Sequence, residues 1–297
     1  FNPPEGFLVT SNNRPAPDAW PTPVPGEWAD GFRAQRIQQV LAGNERLTSD
    51  HMAALQHDTQ SLAAEELLAL VAKVPVYGDR AHRALGILAS WDCNVAAESR
   101  GAALYEVFRL ELLRGLLQPL LGANLDAYFG LPVHAFGAST PYTLRVSSAL
   151  LRLLRDAQDG VMVDGRRLPD PALVVSAALE AATTRLEERL GPDDTAWSWG
   201  ALHHLTLAHP LAQIPPLRWL FNLGPFPLKG DGDTVHQAAY RLRGSFEAGS
   251  WTPSYRFVAD LSDWDNCRSV HLPGQSGQPG SRHYADQLPL WRTGQLH

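Results

Sequence analysis

The chain has 297 residues and a formal charge of −6, with 44% hydrophobic and 19% charged side chains. Those proportions describe a folded globular chain long enough to bury a sizeable core, and they exclude a disordered one. No basic cluster offers a nucleic-acid surface, and no apolar run is long enough for a membrane-spanning helix. Cys93 and Cys267 leave both one bridge and two free thiols open.

Gly6 to Ser11 reads as a short strand, bounded by Pro3-Pro4 and by Asn12-Asn13-Arg14-Pro15. Pro15, Pro17, Pro21, Pro23 and Pro25 then forbid a helix or central strand and predict an extended connector. Asp30 is placed to cap a helix with Phe32, Ile37, Val40 and Leu41 on its apolar face and Gly43 as its stop.

From Leu47 to Leu190 the pattern is helix after helix. Thr48 is an N-cap, with Leu47 and Met52 placed as a hydrophobic staple. The helix it opens presents Leu55, Leu62 and Leu67 and closes at Pro75. Runs near 80–90, 95–118 and 141–158 follow, the second carrying Leu104, Phe108 and Leu112 on one stripe. Asp170-Pro171 starts a further helix, aspartate as cap and proline at the first position, and Gly191-Pro192 stops it.

After Pro192 tryptophan, proline and glycine become dense and helical periodicity fades. Tyr255, Phe257, Ala259 and Leu261 alternate with Ser254, Arg256, Val258 and Asp260 as in a strand, and Ser269–Leu272 can pair with it. The order gives an α+β chain in three parts. Residues 1–28 are a strand and connector, 29–191 a helical block, and 192–297 a Trp/Pro/Gly-rich segment with terminal strands.

Several motifs have ordinary structural readings. Asn-Asn after a strand commonly forms a turn. His203, His204 and His209 lack the i, i+4 spacing with an intervening glutamate used by zinc proteases, so a histidine metalloenzyme is the weakest functional reading. Gly230-Asp231-Gly232-Asp233-Thr234 is too short for a calcium loop and lacks the lysine of a phosphate cradle. It reads as a turn whose carboxylates cap backbone amides. Ser276 lacks the glycine two residues before it that a nucleophile elbow requires, and Gly274, Gly277 and Gly280 read as suppliers of backbone freedom.

As a set, however, several stretches resemble the carboxyl-terminal half of the penicillin amidase β-chain. They are Trp197-Ser198-Trp199-Gly200-Ala201-Leu202-His203, His209-Pro210-Leu211, Gly230 to Val235, Pro273-Gly274-Gln275-Ser276-Gly277 and His283-Tyr284-Ala285-Asp286-Gln287. Gly6 to Pro15 resembles that family's strand and loop with a catalytic asparagine, so the resemblance covers nearly the whole chain. His236 departs from it, standing where the family usually has asparagine after Thr-Val.

The resemblance implies an N-terminal nucleophile hydrolase with an αββα core, incomplete in this segment. Residue by residue, Asn12 matches the side-chain donor to the tetrahedral oxyanion, and Asn13 is left structural. Arg36, in Arg36-Ile37-Gln38, matches an arginine that orients the site better than Arg33 does. The nucleophile is expected to be a serine upstream, because Phe1 offers neither hydroxyl nor thiol. The chain then reads as the carboxyl-terminal part of an acylase cleaving amides of hydrophobic acyl groups, inactive by itself. Its partners would be the upstream β-chain part, the α-chain of the same precursor and a small-molecule amide, with no nucleic acid and no membrane. The family's habit is periplasmic or secreted. No cofactor or metal site is expected in this segment, with calcium possible in the complete enzyme. The alternative is a non-catalytic scaffold or binding module that keeps the fold.

Overall fold

A computed structural model describes residues 2–17, 19–22, 24, 26–43, 46–129, 144–242, 245–248 and 251–297. Phe1, Pro23, Pro25 and the opening of the helix expected at 141–158 lie outside the described residues.

Residues 7–10 carry no regular secondary structure, Ser11 is a bend, and none of them joins a ladder. The adjoining segment is tied by a parallel bridge between Asn13 and Ala29 and by Ala29 N–H donating to the Asn12 carbonyl at 2.8 Å. The strand expected at Gly6–Ser11 is therefore absent, for want of a neighbouring backbone to pair with among the described residues.

Helix α1 spans Phe32–Ala42 and ends at Gly43 as expected, but its N-cap is Gly31 and no side chain caps it. Asp30 acts elsewhere. Its carboxylate accepts the Ser148 backbone N–H at 3.0 Å and the Ser148 hydroxyl, capping a different helix from a distance.

Thr48 does cap a helix, α2 (Ser49–Leu55), through a capping box completed by His51. The single helix expected through Leu67 is two, because Ser61 accepts from Ala64 N–H and starts α3 (Leu62–Val71). α4 is Asp79–Ala89, and the 22-residue α5 is Arg100–Leu121. A short α6 (Leu125–Tyr128) precedes α7 (Val146–Gln158), the helix that Asp30 caps. After the small hairpin β1 (Met162–Val163) and β2 (Arg166–Arg167), α8 runs Pro171–Leu190. Asp170 caps α8 through Ala172 and Leu173 N–H, as the Asp-Pro signal predicts.

Helix α5 organises the helical core. Leu104, Phe108 and Leu112 are fully buried, but so are Val107, Leu110 and Leu116 on other faces, so the single stripe understates its burial. α8, α4 and α7 surround it. A Cβ on Gly115 would lie 2.6 Å from Val174 of α8, which marks how closely the two helices approach. The same all-round burial carries Glu106 and Arg109 inward, with no sign in hydrophobic periodicity.

The carboxyl-terminal region forms a second cluster built on Leu205, Leu228, Val270, Leu272 and Trp291. Helix α9 (Trp199–Leu202) leads into β3 (His204–Leu207), and α10 (Arg218–Phe221) into β4 (Leu223–Pro227), which pairs antiparallel with β3. β5 (Tyr255–Val258) pairs antiparallel with β6 (Arg268–His271), the hairpin that the alternation predicts. α11 (Leu288–Thr293) packs against β6. Cys93 is a buried free thiol and Cys267 a partly buried one.

Candidate functional site

A cavity of about 460 Å³ lies where the Asn12–Arg33 segment meets α5, α7 and the Asp231–Asp233 turn. Asn12 stands at its edge with φ +63°, a left-handed conformation that asparagine tolerates better than most residues. Its side-chain carbonyl accepts from Arg33 Nη2 at 3.0 Å. That bond fixes which end of the amide is which, leaving the NH2 as the unspent donor. Asn13 uses its own side chain locally, accepting Ser11 N–H at 3.0 Å and donating to the Arg14 carbonyl. The Asn13 side chain is thus engaged within its own turn, while that of Asn12 faces Arg33 at the cavity edge.

The arginines are placed otherwise. Arg33 lines the cavity and touches Asn12, whereas Arg36 turns one helical step away and grips Asp58, with Nη2–Oδ2 at 2.6 Å and Nε at 3.1 Å from both oxygens. Hydrogen bonding to Asp58 raises the Arg36 pKa above its usual value. Asp58 also accepts Gln60 N–H, so Arg36 clamps α1 to the α2–α3 connection. The spacing from Asn12 is the signal that could have favoured Arg33. Burial lowers the Arg33 pKa, with the Asp233 and Asp231 charges opposing it.

Behind the cavity lies a buried ionic network that periodicity concealed. Arg109 pairs with Glu106 at 2.7 Å and Asp233 at 3.0 Å, and donates to Tyr240 and Ser147 hydroxyls. Ser147 donates to Asp233 at 2.5 Å and Tyr240 donates to Glu106. Asp231 closes its own turn as expected, Oδ1 accepting from Asp233 and Thr234 N–H at 2.8 Å each.

Glu106 Oε1 and Asp231 Oδ2 are buried without an N–H or O–H donor among the described residues. Burial pushes the Glu106 carboxyl well above the usual range, against the pull of the Arg109 charge and with the nearby Asp231 charge raising it further. Burial and the Asp231 charge likewise raise Asp233 to about 6.

The remaining motif residues are structural. His203 is buried, stacked on Trp199 at 4.6 Å, with Nδ1 against the Phe246 carbonyl at 2.5 Å. Ser276 caps its own loop by accepting Gln278 N–H. Gly274 is needed there for close approach, since a Cβ would sit 2.4 Å from the His283 carbonyl. Gly274, Gly277 and Gly280 all keep ordinary φ, which corrects the expectation of backbone freedom. No group of three or more His, Cys, Asp or Glu side chains could hold a metal among the described residues.

The chain matches the penicillin amidase family along residues 1–297. It belongs to that family. Penicillin acylase 2 proenzyme of Pseudomonas sp. (strain SE83) is 33% identical over 293 residues, covering 98% of this chain and 36% of the relative. Acyl-homoserine lactone acylase QuiP of Pseudomonas aeruginosa is 27% identical over 323 residues, covering 99% of this chain and 37% of the relative. Among solved structures, the thermostable penicillin G acylase from Alcaligenes faecalis superposes with a TM-score of 0.58 at 20% identity, over 100% of this chain and 54% of that one. The fold is thus the mixed helix-and-strand fold of a penicillin acylase. The chain spans little more than a third of the length of these curated relatives.

Proposed function

We propose that this chain is the carboxyl-terminal part of an acylase that hydrolyses amides of hydrophobic acyl groups, with its nucleophilic serine on a preceding segment of the same precursor. In this reaction the serine oxygen attacks the amide carbonyl while the serine's own α-amine takes the hydroxyl proton. The carbonyl oxygen becomes an oxyanion, the C–N bond breaks, and the amine leaves with that proton. Water then attacks the acyl ester and releases the carboxylic acid and the serine.

The observation that carries this reading is the Asn12 amide. Arg33 holds its carbonyl end, so its NH2 is oriented before a substrate arrives. A fixed neutral donor at the developing negative charge is worth about 3 kcal/mol of barrier. Leu144, Val146, Leu242 and Trp251 give the cavity beside it an apolar wall suited to a hydrophobic substituent. Arg33 is the orienting arginine in this proposal, and Arg36 holds α1 in place.

The test is acyl trapping in the full-length protein. A phenylacetyl amide quenched during turnover should leave a phenylacetyl mass on a peptide beginning with serine outside these 297 residues. An adduct on Ser147 or Ser276, or turnover with no adduct, would overturn the assignment.

A further inference from the structure

A second cavity, of about 490 Å³, lies between α11 and the segment running from β4 to His236. Lys229, Arg292 and His236 contribute its nitrogen groups, and Glu98 is its only carboxylate. Lys229 has no hydrogen-bond or ion-pair partner among the described residues, and burial lowers its pKa. Arg292 lies over the Phe226 ring at 4.7 Å and makes no ion pair with a carboxylate among the described residues.

Behind His236 stands Arg256, only 3% exposed. Its guanidinium bonds the Trp291 carbonyl at 2.9 Å and His236 Nδ1 at 3.2 Å, and its Nε has no hydrogen-bond partner among the described residues. No carboxylate among the described residues offsets this buried charge, which lies over the Trp291 ring at 4.4 Å and whose pKa burial brings down to about 10. An unpaired buried cation is costly, so the arrangement calls for a counter-charge.

His236 stands between Arg256 and the cavity. Arginine can only donate, so His236 Nδ1 must accept, and in the neutral ring the proton is on Nε2. His236 is 1% exposed and its Nε2 is a buried donor without an acceptor among the described residues. His57 lies beside it, ring centroids 5.1 Å apart and tilted, and burial and the Arg256 charge lower its pKa to about 3. An anion in the cavity would neutralise Lys229 and Arg292. It would also offset Arg256 through the histidine ring.

We propose that this cavity is an anion-binding site, taking a carboxylate or phosphate group between Lys229 and Arg292, with the buried His236 ring at its back. It is separate from the Asn12 cavity, with which it shares no lining residue. Asparagine in place of His236 could not relay Arg256 in this way, because its side chain would present a single short amide.

Calorimetric titration of the purified protein with inorganic phosphate and, separately, with acetate tests this at constant ionic strength set by chloride. Saturable millimolar binding of at least one is expected, with the His236 Nε2 resonance moving in step. Phosphate alone binding would assign a phosphate ligand and acetate alone a carboxylate. Lys229→Met and the surface substitution Arg292→Met should each weaken binding about tenfold or more. Arg282→Met, at an exposed arginine elsewhere, should not. No saturable binding by either anion, or binding unchanged in both Lys229→Met and Arg292→Met, would overturn the proposal. Arg292 is exposed, so that variant remains informative if Lys229→Met folds poorly.

Discussion

Arg33 Nη2 donates to Asn12 Oδ1 at 3.0 Å, joining the first turn of α1 to the loop that precedes the proline-rich connector. The bond determines which end of the Asn12 amide is free. In the full-length protein, Asn12→Ala should lower kcat by about a hundredfold or more and change KM little, because an oxyanion donor acts mainly in the transition state. Asn13→Ala should be much milder, since that side chain serves Ser11 and Arg14. Steady-state kinetics on a phenylacetyl amide decides it, and equal losses in both variants would refute the division of roles.

The two arginines should separate in the same way. Arg33→Met is expected to lower kcat with little effect on Tm. Arg36→Met should leave kcat nearly intact and cost about 1 kcal/mol of stability, the scale of a partly exposed, hydrogen-bonded ion pair. Its half-buried pairing with Asp58 is the basis for that figure. Activity lost in Arg36→Met at unchanged Tm would restore Arg36 to the site.

Much of this was legible in the chain and some of it was not, for physical reasons. Local signals held where the partner is a few residues away: Thr48, Asp170 and Gly191 act at the ends of their helices as their chemistry predicts. Asp30 failed as a cap because the amide it serves, Ser148, is 118 residues distant. Helix α5 hid its ion network because a helix buried all round has no polar face against which Glu106 and Arg109 would stand out. Arg33 and Arg36 differ only in helical phase relative to Asn12, which motif matching does not resolve. The Asp231 turn was readable because its bonds close within three residues.

Glu106 offers a test of the buried proton. Gln keeps an acceptor for Arg109 and Tyr240 and supplies a permanent donor to Asp231, so Glu106→Gln should fold with a stability within about 1 kcal/mol of the parent at pH 7. Glu106→Leu leaves Arg109 short of a partner and should cost about 3–5 kcal/mol. Because the folded-state pKa of Glu106 is raised, its contribution is complete below the unfolded value and is lost as pH rises through the folded one. Denaturant melts should therefore show a weaker alkaline decline in Glu106→Gln. An unchanged decline would place the proton elsewhere.

Packing between α5 and α8 rests on Gly115. Alanine has the better helix propensity by about 1 kcal/mol, yet its Cβ would meet Val174 Cγ2 at 2.6 Å. Overpacking of this kind costs about 1–3 kcal/mol, so Gly115→Ala should be net destabilising. Adding Val174→Ala should recover part of the loss. If the two substitutions prove additive in a double-mutant cycle, the contact is not what restricts this position.

The buried histidines should set the acid limit of the fold. Burial and the Arg256 and Lys229 charges lower His57 from 6.5 to about 3, and burial lowers His203 to about 4. His236 is lowered too, by burial, Arg256 and His57. Between pH 6.5 and these values the unfolded chain holds protons that the folded rings refuse. Stability is therefore full above about pH 6.5 and declines as pH falls, by about 1.4 kcal/mol per pH unit for each histidine. Both ring nitrogens of His57 are buried without partners among the described residues, so His57→Leu removes unsatisfied groups together with one titrating site. Its stability at pH 7 should match or exceed the parent's, and its decline between pH 6 and 4 should be shallower by about one proton's slope. Urea melts at half-unit pH intervals measure this directly, and an acid limb as steep as the parent's would show that His57 is not among the groups that set it.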